Sequence, residues 1–569
     1  MTWRGRNIYL TGLPGAGKSV IGQALAARLS KSGYGFVDLD YAVEKKIGSR
    51  VGEIFSGTGG ESQFRDLETT ELLEVSKHAY SSKPMVVATG GGTVIRPVNR
   101  AIMRGSGVVV WVDVTVKQAT KQVLRSILEG RERPLLRASG PDDLALRIRT
   151  LLDSRVHFYE QATLHFVTRS PKGDERTPDE LAEELFKALE QMSRHVGLRP
   201  RFQTFVAKSA LGDYPFSIGS GIATTEITSA IRDAKAQSVL FLTDKNVSKL
   251  HTTKLVGKIT TEIKSTAQLH QLAIEPGEAS KSKEALFELL DSMRELDISR
   301  NAGLIITIGG GVVSDLGGMA ASLFKRGIPV IHVPTTLLAQ VDASLGGKTG
   351  IDHANTKNLL GTFYPPKLVL IDPLFLKTLP KREVHAGLAE IFKYALIGSP
   401  TMWQTLSKSV RRLIRGVDPS YEQLIRESVQ EKLRYIERDE FEHHNGIREL
   451  LNFGHTFAHA LESTAGFGVY LHGEAVALGM RTAAWLSQKL GILSEEEWRE
   501  IEIVLGRIPI VPNPDLSATE IFAAMRRDKK RSRDENRLVL LSSIGQGIVI
   551  PSVPDASVRA AIEFMISIA

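Results

Sequence analysis

Eight residues near the N-terminus, GLPGAGKS at Gly12–Ser19, restrict what can be built around them. They follow an apolar run, Asn7–Thr11, and precede a helical pattern opening at Lys18. This is the strand–loop–helix setting in which a GxxxxGKS segment wraps phosphate oxygens. The glycines let backbone N–H groups curl around an anion, Lys18 supplies a compact positive charge, and the Ser19 hydroxyl is a ligand for Mg2+. Gly12, Gly15, Ala16, Gly17, Lys18, Ser19 and Val20 are therefore expected to hold nucleotide phosphates. The loop does not say what accepts them.

Around it the chain alternates strand and helix signals, with strands ending at Asp38 and running over Met85–Ala88, Val108–Val112 and Leu164–Val167. That rhythm belongs to a parallel α/β sheet. Thr177 caps and Pro178 opens a last helix, so the first domain is expected at 1–195. A second α/β pattern follows over 196–365, with buried-strand runs at Val239–Thr243, Leu304–Ile308 and Val330–Val333. Beyond Pro366 the pattern turns to long helical stretches, so 366–569 is expected to be mostly α-helical. At 569 residues the chain is long enough for more than one core. The fold class expected is α/β, a P-loop domain with a parallel sheet followed by a Rossmann-like α/β part and a helical part.

Composition narrows the chemistry. The chain has no cysteine, so any metal sits on His, Asp or Glu, and neither disulfides nor thiolates take part. No uncharged apolar run approaches the roughly 18 residues of a membrane span, and the opening residues lead straight into a strand. A soluble cytoplasmic protein, without membrane contact, is the expectation. The net charge is +8, but 72 Lys and Arg are interleaved with 64 Asp and Glu. Spread charge of this kind suits small anionic substrates and disfavours nucleic acid.

The acceptor side of the first domain is read from Asp38 and Asp40, GESQFRDLE around Arg65, the triplet Gly90-Gly91-Gly92, RERPLL around Arg133, and Arg155 with Tyr159. In this order they resemble shikimate kinase over the whole first domain. The resemblance implies ATP with Mg2+, Asp38 as a second Mg2+ residue beside Ser19, and Asp40, Arg65, Gly90, Gly91, Gly92 and Arg155 around shikimate. Arg133 would belong to a closing lid. Guanidinium forks suit a planar carboxylate, and Asp40 can position or deprotonate the attacking hydroxyl.

Three clusters share the rest of the chain. One is nucleotide-like, with Asp244 and Asn246 ending a strand, Glu278 and Lys281, then Gly309-Gly310-Gly311-Val312 and Asp315. A second concentrates charge in PTTLLAQVDASLGGKTGIDHANTKNLLG, with Asp342, Lys348, Lys357 and Asn358. The third is metal-like, with Glu390, His455, His459 and His472. His455 and His459 lie four apart on one face of a helix, as two ligands or as one ligand and one catalytic group. The absence of HExxH disfavours a zinc protease.

In order and spacing these clusters resemble 3-dehydroquinate synthase from about residue 205 onward. The resemblance implies Zn2+ or Co2+ on Glu390, His455 and His472, with His459 free for proton traffic. It implies NAD held by Asp244, Asn246, Glu278, Lys281, Gly310, Gly311, Val312, Asp315, Thr335, Thr336, Asp342, Lys357 and Thr378. Lys348, Asn358, Lys393, Lys432, Arg448, Asn452 and a lysine of DKK, Lys529 or Lys530, would hold a heptulosonate phosphate. Asp342, Lys348, Lys393 and His459 are the expected catalytic set there, as Lys18, Asp40 and Arg133 are in the first domain. A homodimer through the second half is also implied. His443 and His444 sit in a segment longer than the family pattern and are expected to be loop residues. Another sugar-phosphate cyclase, or a polyol dehydrogenase that releases NADH, is the alternative; the lysine array argues against the dehydrogenase, which needs no phosphate clamp.

Overall fold

The computed structural model describes residues 3–56, 59–81, 83–129, 136, 138–168, 176–195, 202–263, 266–354, 356–442, 447–466, 468–512, 515–529 and 537–569. The chain forms two compact units, Met1–Phe205 and Val206–Ala569. No helix among the described residues is long and apolar enough to cross a membrane.

The first unit is built on β1 (Asn7–Thr11), β2 (Gly35–Asp38), β3 (Met85–Ala88), β4 (Gly107–Asp113) and β5 (Leu164–Val167). Their order is β2-β3-β1-β4-β5 with every pairing parallel. Helices cover both faces, which is why β1 and β4 read as near-continuous apolar runs. On one face Ile8, Leu10 and Val110 pack with Leu25 and Leu185; on the other Tyr9, Val87 and Val109 pack with Leu39, Ile148 and Tyr159. Because β1 lies between β3 and β4, its C-terminal end opens where successive connections leave toward opposite sides, the crevice in which such sheets bind ligands.

After β6 (Gln203–Ala207), which spans the boundary between Phe205 and Val206, the second unit has β7 (Tyr214–Ile218), β8 (Ser238–Asp244), β9 (Gln268–Ile274), β10 (Gly303–Gly309), β11 (Val330–Pro334), β12 (Lys348–His353), β13 (Thr356–Phe363) and β14 (Leu368–Ile371). Seven form a sheet in the order β6-β7-β14-β11-β10-β8-β9, while β12 and β13 make a separate antiparallel hairpin. Strand β14 follows Pro366, after the point where the sequence turns helical, yet it lies inside the sheet between β7 and β11. A four-residue apolar run carries too little periodicity to be told from a buried helix segment.

Among the described residues the remainder is mainly helical, including Lys381–Gly398, Ser420–Ile436, His455–Ala465 and His472–Lys489, with a further hairpin of β15 (Leu538–Ser543) and β16 (Gln546–Ile550). Every residue of the first helix from Val384 to Ile397 is buried. A helix enclosed on all sides is expected to be apolar throughout. Glu390 and Lys393 break that rule.

Buried His332 on β11 shares a hydrogen bond through Nδ1 with Thr307 Oγ1 at 2.8 Å, and burial pushes its pKa down to about 4. The unfolded imidazole takes up a proton near pH 6.5, the folded one near 4, so stability present above 6.5 is lost as pH falls between these values. The second unit should lose roughly 3 kcal/mol over that window from this residue. Denaturant titrations of the wild type and of His332→Asn at pH 7 and pH 4.5 check this: the variant should show a smaller drop.

Candidate active sites

In the first unit the phosphate loop leaves β1 with positive φ at Gly12, Gly15 and Gly17, a path that L side chains rarely follow. Gly17 caps the helix Lys18–Arg28 with no side-chain hydrogen bond, leaving its N-terminal N–H groups for an anion. Lys18 is buried and donates to Gly12 O and Leu13 O, each at 2.9 Å. Ser19 Oγ donates to Asp38 Oδ2 at 2.5 Å. The end of β2 thus brings a carboxylate to the hydroxyl that the sequence assigned to Mg2+.

Opposite the loop, the glycine triplet forms a wall. A Cβ on Gly90 would stand 2.6 Å from Asp40 Oδ1 and 2.7 Å from Glu68 Oε1, and one on Gly92 would overlap the Arg65 guanidinium. Gly91 lies against Pro14 of the loop and accepts a hydrogen bond from Tyr159 Oη at 2.7 Å. Arg65 is buried between Glu68 at 3.0 Å and Glu61 at 2.9 Å, and those carboxylates outweigh burial to raise its pKa. Arg155 is also buried and lies against Tyr159, whose phenol burial pushes up to about 12 against the pull of that guanidinium. Asp40, Arg65, the triplet and Arg155 therefore line one wall facing the loop. Arg133 lies outside the described residues.

In the second unit, Gly309-Gly310-Gly311 joins β10 to the helix Gly311–Leu323, which Gly310 caps without a side-chain hydrogen bond. A Cβ on Gly310 would sit 3.2 Å from Thr336 Cγ2, and buried Thr335 Oγ1 has no hydrogen-bond partner among the described residues. Narrow access, free N–H groups and an unsatisfied hydroxyl fit a bound pyrophosphate. Asp315 pairs with buried Lys281 at 2.5 Å; burial raises its carboxyl to about 6 although Lys281 opposes the rise. Lys281 also bonds Asn358 Oδ1, and Asn358 N donates to Asp352 Oδ1 at 2.8 Å. Asp244 Oδ1 accepts from Asn246 N and Val247 N at 2.9 Å each, and Thr378 Oγ1 meets His251 Nε2 at 2.6 Å.

The helical part brings the metal-like residues together. His455 Nε2 is 3.5 Å and His472 Nε2 3.9 Å from Glu390 Oε1, and one ligand atom from each residue lies within 4.8 Å of the others. Both Glu390 oxygens are buried without a hydrogen bond among the described residues; the Lys393 ammonium, 2.5 Å from Oε2, forms an ion pair outside hydrogen-bond geometry. Two imidazoles and an unsatisfied buried carboxylate fit Zn2+ or Co2+ with a coordination position left open. Small residues make the convergence possible, because a Cβ on Gly473 would collide with the Ala386 backbone and one on Gly479 with Gly454 O. His455 Nδ1 meets Phe453 O at 3.2 Å, directing Nε2 at Glu390. Arg382 grips Glu474 with two hydrogen bonds of 2.8 Å, and Glu474 accepts from Leu471 N, anchoring the turn that carries His472.

Next to this cluster Asp342 Oδ1 accepts from Lys432 Nζ at 2.7 Å and from Tyr394 Oη at 2.5 Å. Burial alone would raise the Asp342 carboxyl, but Lys432 and Lys393 hold it far below the usual carboxylate range.

Residues 271–386 and 387–531 match the family models described as 3-dehydroquinate synthase N-terminal and C-terminal, and residues 14–190 match shikimate kinase. The 3-dehydroquinate synthase of Methylococcus capsulatus is 38% identical over 353 residues, 62% of this chain and 96% of that protein. That of Salinibacter ruber is 40% identical over 330 residues, 58% of this chain and 88% of that protein. The chain belongs to the 3-dehydroquinate synthase family, with a shikimate kinase domain ahead of the synthase. Among solved structures, 2-epi-5-epi-valiolone synthase from Streptomyces hygroscopicus subsp. jinggangensis 5008, with NAD+ and Zn2+ bound, is 30% identical. It matches with TM-score 0.57 over 63% of this chain and 99% of its own. A 2-deoxy-scyllo-inosose synthase complexed with carbaglucose-6-phosphate, NAD+ and Co2+ is 26% identical with the same TM-score and coverage.

Not every expected synthase residue joins the cluster. Lys348, at the start of β12, is half exposed and pairs with Glu442; among the described residues nothing joins it to Lys393 or Lys432. Asn452 makes no side-chain hydrogen bond among the described residues, whereas buried Arg448 donates to Glu440 O and brings its charge near Lys432 and Tyr394. His459, by contrast, is exposed yet sits at the edge of the cluster, its ring 5.6 Å from that of His455 and 5.9 Å from that of His472. Lys529 closes the helix Ala518–Lys529, while Lys530, His443 and His444 lie outside the described residues. Two acids were missed. Glu68, fully buried, bonds Arg65 and Thr93, and Glu462 bonds Lys357 and His472. Each had a signal in its spacing, three residues beyond Arg65 and three beyond His459 on the same helix face.

Proposed function

We propose that the chain catalyses two reactions of the shikimate pathway, ATP-dependent phosphorylation of shikimate in the first unit and conversion of 3-deoxy-arabino-heptulosonate 7-phosphate to 3-dehydroquinate in the second. The observation that carries the synthase reading is the convergence of Glu390, His455 and His472 beside the charged set Lys393, Asp342 and Lys432. A metal-ligand set next to buried lysines suits a substrate that is both an alcohol and a polyanion.

In the kinase unit the loop N–H groups and Lys18 align the ATP phosphates, with Ser19 and Asp38 toward Mg2+. Arg65 and Arg155 take the shikimate carboxylate, and Asp40 orients the attacking hydroxyl. Arg133 is assigned to the lid. In the synthase unit Gly310, Gly311, Val312, Thr335, Thr336, Asp244, Asn246, Glu278, Lys281, Asp315, Lys357 and Thr378 surround NAD. Glu390, His455 and His472 hold Zn2+ or Co2+. When bound, NAD supplies reversible hydride acceptance and the metal polarises the substrate oxygen. Lys393, Lys432, Lys348, Asn358, Arg448, Asn452 and a lysine at 529 or 530 grip carboxylate and phosphate. Asp342 orients Lys432 through its hydrogen bond, and His459 moves protons.

The whole chain, given heptulosonate phosphate, catalytic NAD and Zn2+, should release phosphate and dehydroquinate in equal amounts with no NADH accumulating. Lasting NADH would reject the cyclase in favour of a dehydrogenase. With shikimate, ATP and Mg2+ it should form ADP. We also infer a cytoplasmic homodimer associating through the second unit, without a nucleic-acid partner, supported by the family resemblance and the interleaved charges; light scattering at a dimer mass would agree.

A further inference from the structure

Glu462 belongs to the helix His455–Ala465, where His455, His459 and Glu462 share a face at spacings of four and three. It is only 6% exposed, and each of its oxygens meets a different element. Oε2 lies 3.4 Å from His472 Nδ1, and Oε1 accepts from Lys357 Nζ at 3.1 Å. We propose that Glu462 is a positioning residue that sets His472 in its metal-binding tautomer and joins that ligand to the nucleotide side through Lys357. This rests on the reading of Glu390, His455 and His472 as the metal set.

An ionised carboxylate only accepts hydrogen bonds, so the imidazole proton of His472 sits on Nδ1 and the Nε2 lone pair faces Glu390. His455 is set the same way by the carbonyl of Phe453. The two imidazoles thus take the same tautomer from different devices, one backbone and one side chain, and only the second can be altered by substitution. Lys357 precedes Asn358, which bonds Lys281 of the NAD cradle. Glu462 therefore stands between a cation site and a lysine, shielding one positive charge from the other. His459, Glu462 and His472 also lie close enough to bind an ion themselves. In the proposed arrangement Glu462 binds the imidazole proton instead of metal, since His472 has one Nε2 to give.

The test is Co2+ titration of the metal-stripped full-length chain, followed by visible absorption and chelator competition, for the wild type, Glu462→Gln and Glu462→Asp. Glu462→Gln should bind one Co2+ about 10–100-fold more weakly, with an altered spectrum but an unchanged metal-free melting curve. Affinity within about twofold of wild type would overturn the proposal. So would two Co2+ per wild-type chain falling to one in the variant, because Glu462 would then be a ligand. If Glu462→Gln does not fold, Glu462→Asp keeps the charge on a shorter arm; it should bind Co2+ more weakly than wild type, and unchanged affinity would overturn the proposal. A wild-type chain that binds no Co2+ would instead remove the metal reading itself.

Discussion

Replacing Lys18 with methionine should lower shikimate phosphorylation by roughly 10^2–10^3-fold or more, the cost of deleting one donor aimed at developing charge. Heptulosonate-phosphate turnover should not change. Lys18 is buried and already bonded to two loop carbonyls, so methionine keeps the packed stem and loses only the ammonium. No other group in the loop replaces a positive charge, because Gly12, Gly15, Ala16, Gly17 and Ser19 offer only neutral donors. The synthase residues all lie in the second unit. ADP formation and phosphate release measured on the same preparation give the split; kinase activity within tenfold of wild type would reject the assigned role.

Stripping divalent metal should have the opposite signature. Phosphate release should fall about 10^3-fold or more, matching the several kcal/mol expected of a Lewis acid. Zn2+ or Co2+ should restore it and Mg2+ should not, since two imidazoles and one carboxylate suit the former, while Mg2+ prefers an all-oxygen octahedron. Mg2+ alone should restore the kinase. Glu390→Gln should resemble the stripped enzyme and not respond to added Zn2+. It also leaves the Lys393 ammonium buried without its ion pair, which commonly costs about 3–5 kcal/mol, so its melting temperature should drop as well. A stripped enzyme that keeps full synthase activity would exclude a catalytic metal.

The first unit was the more legible of the two. Its phosphate loop is contiguous, and its central strands β1 and β4 are buried on both faces, so each appears as an apolar run between turn signals. β14 escaped because four apolar residues do not distinguish strand from helix. The hairpin of β15 and β16 escaped because it is an isolated pair inside a helical region. Glu68 and Glu462 were passed over because an acid on a helix is usually solvated; only burial revealed their partners.

By itself the sequence determined whatever depends on neighbours along the chain: the phosphate loop, the period of strands and helices, the glycine turns, and the cysteine-free choice of metal ligands. These follow from backbone geometry and side-chain chemistry within a few residues. The family resemblance named Glu390, His455 and His472 together, but only the tertiary structure shows Glu390, from the buried stretch Val384–Ile397, meeting both imidazoles, and Glu462 joining His472 to Lys357. Those contacts depend on how closely three helices pack, which is set by side chains missing at Gly473 and Gly479. Close packing of this kind is a property of pairs of surfaces, and neither surface carries it alone.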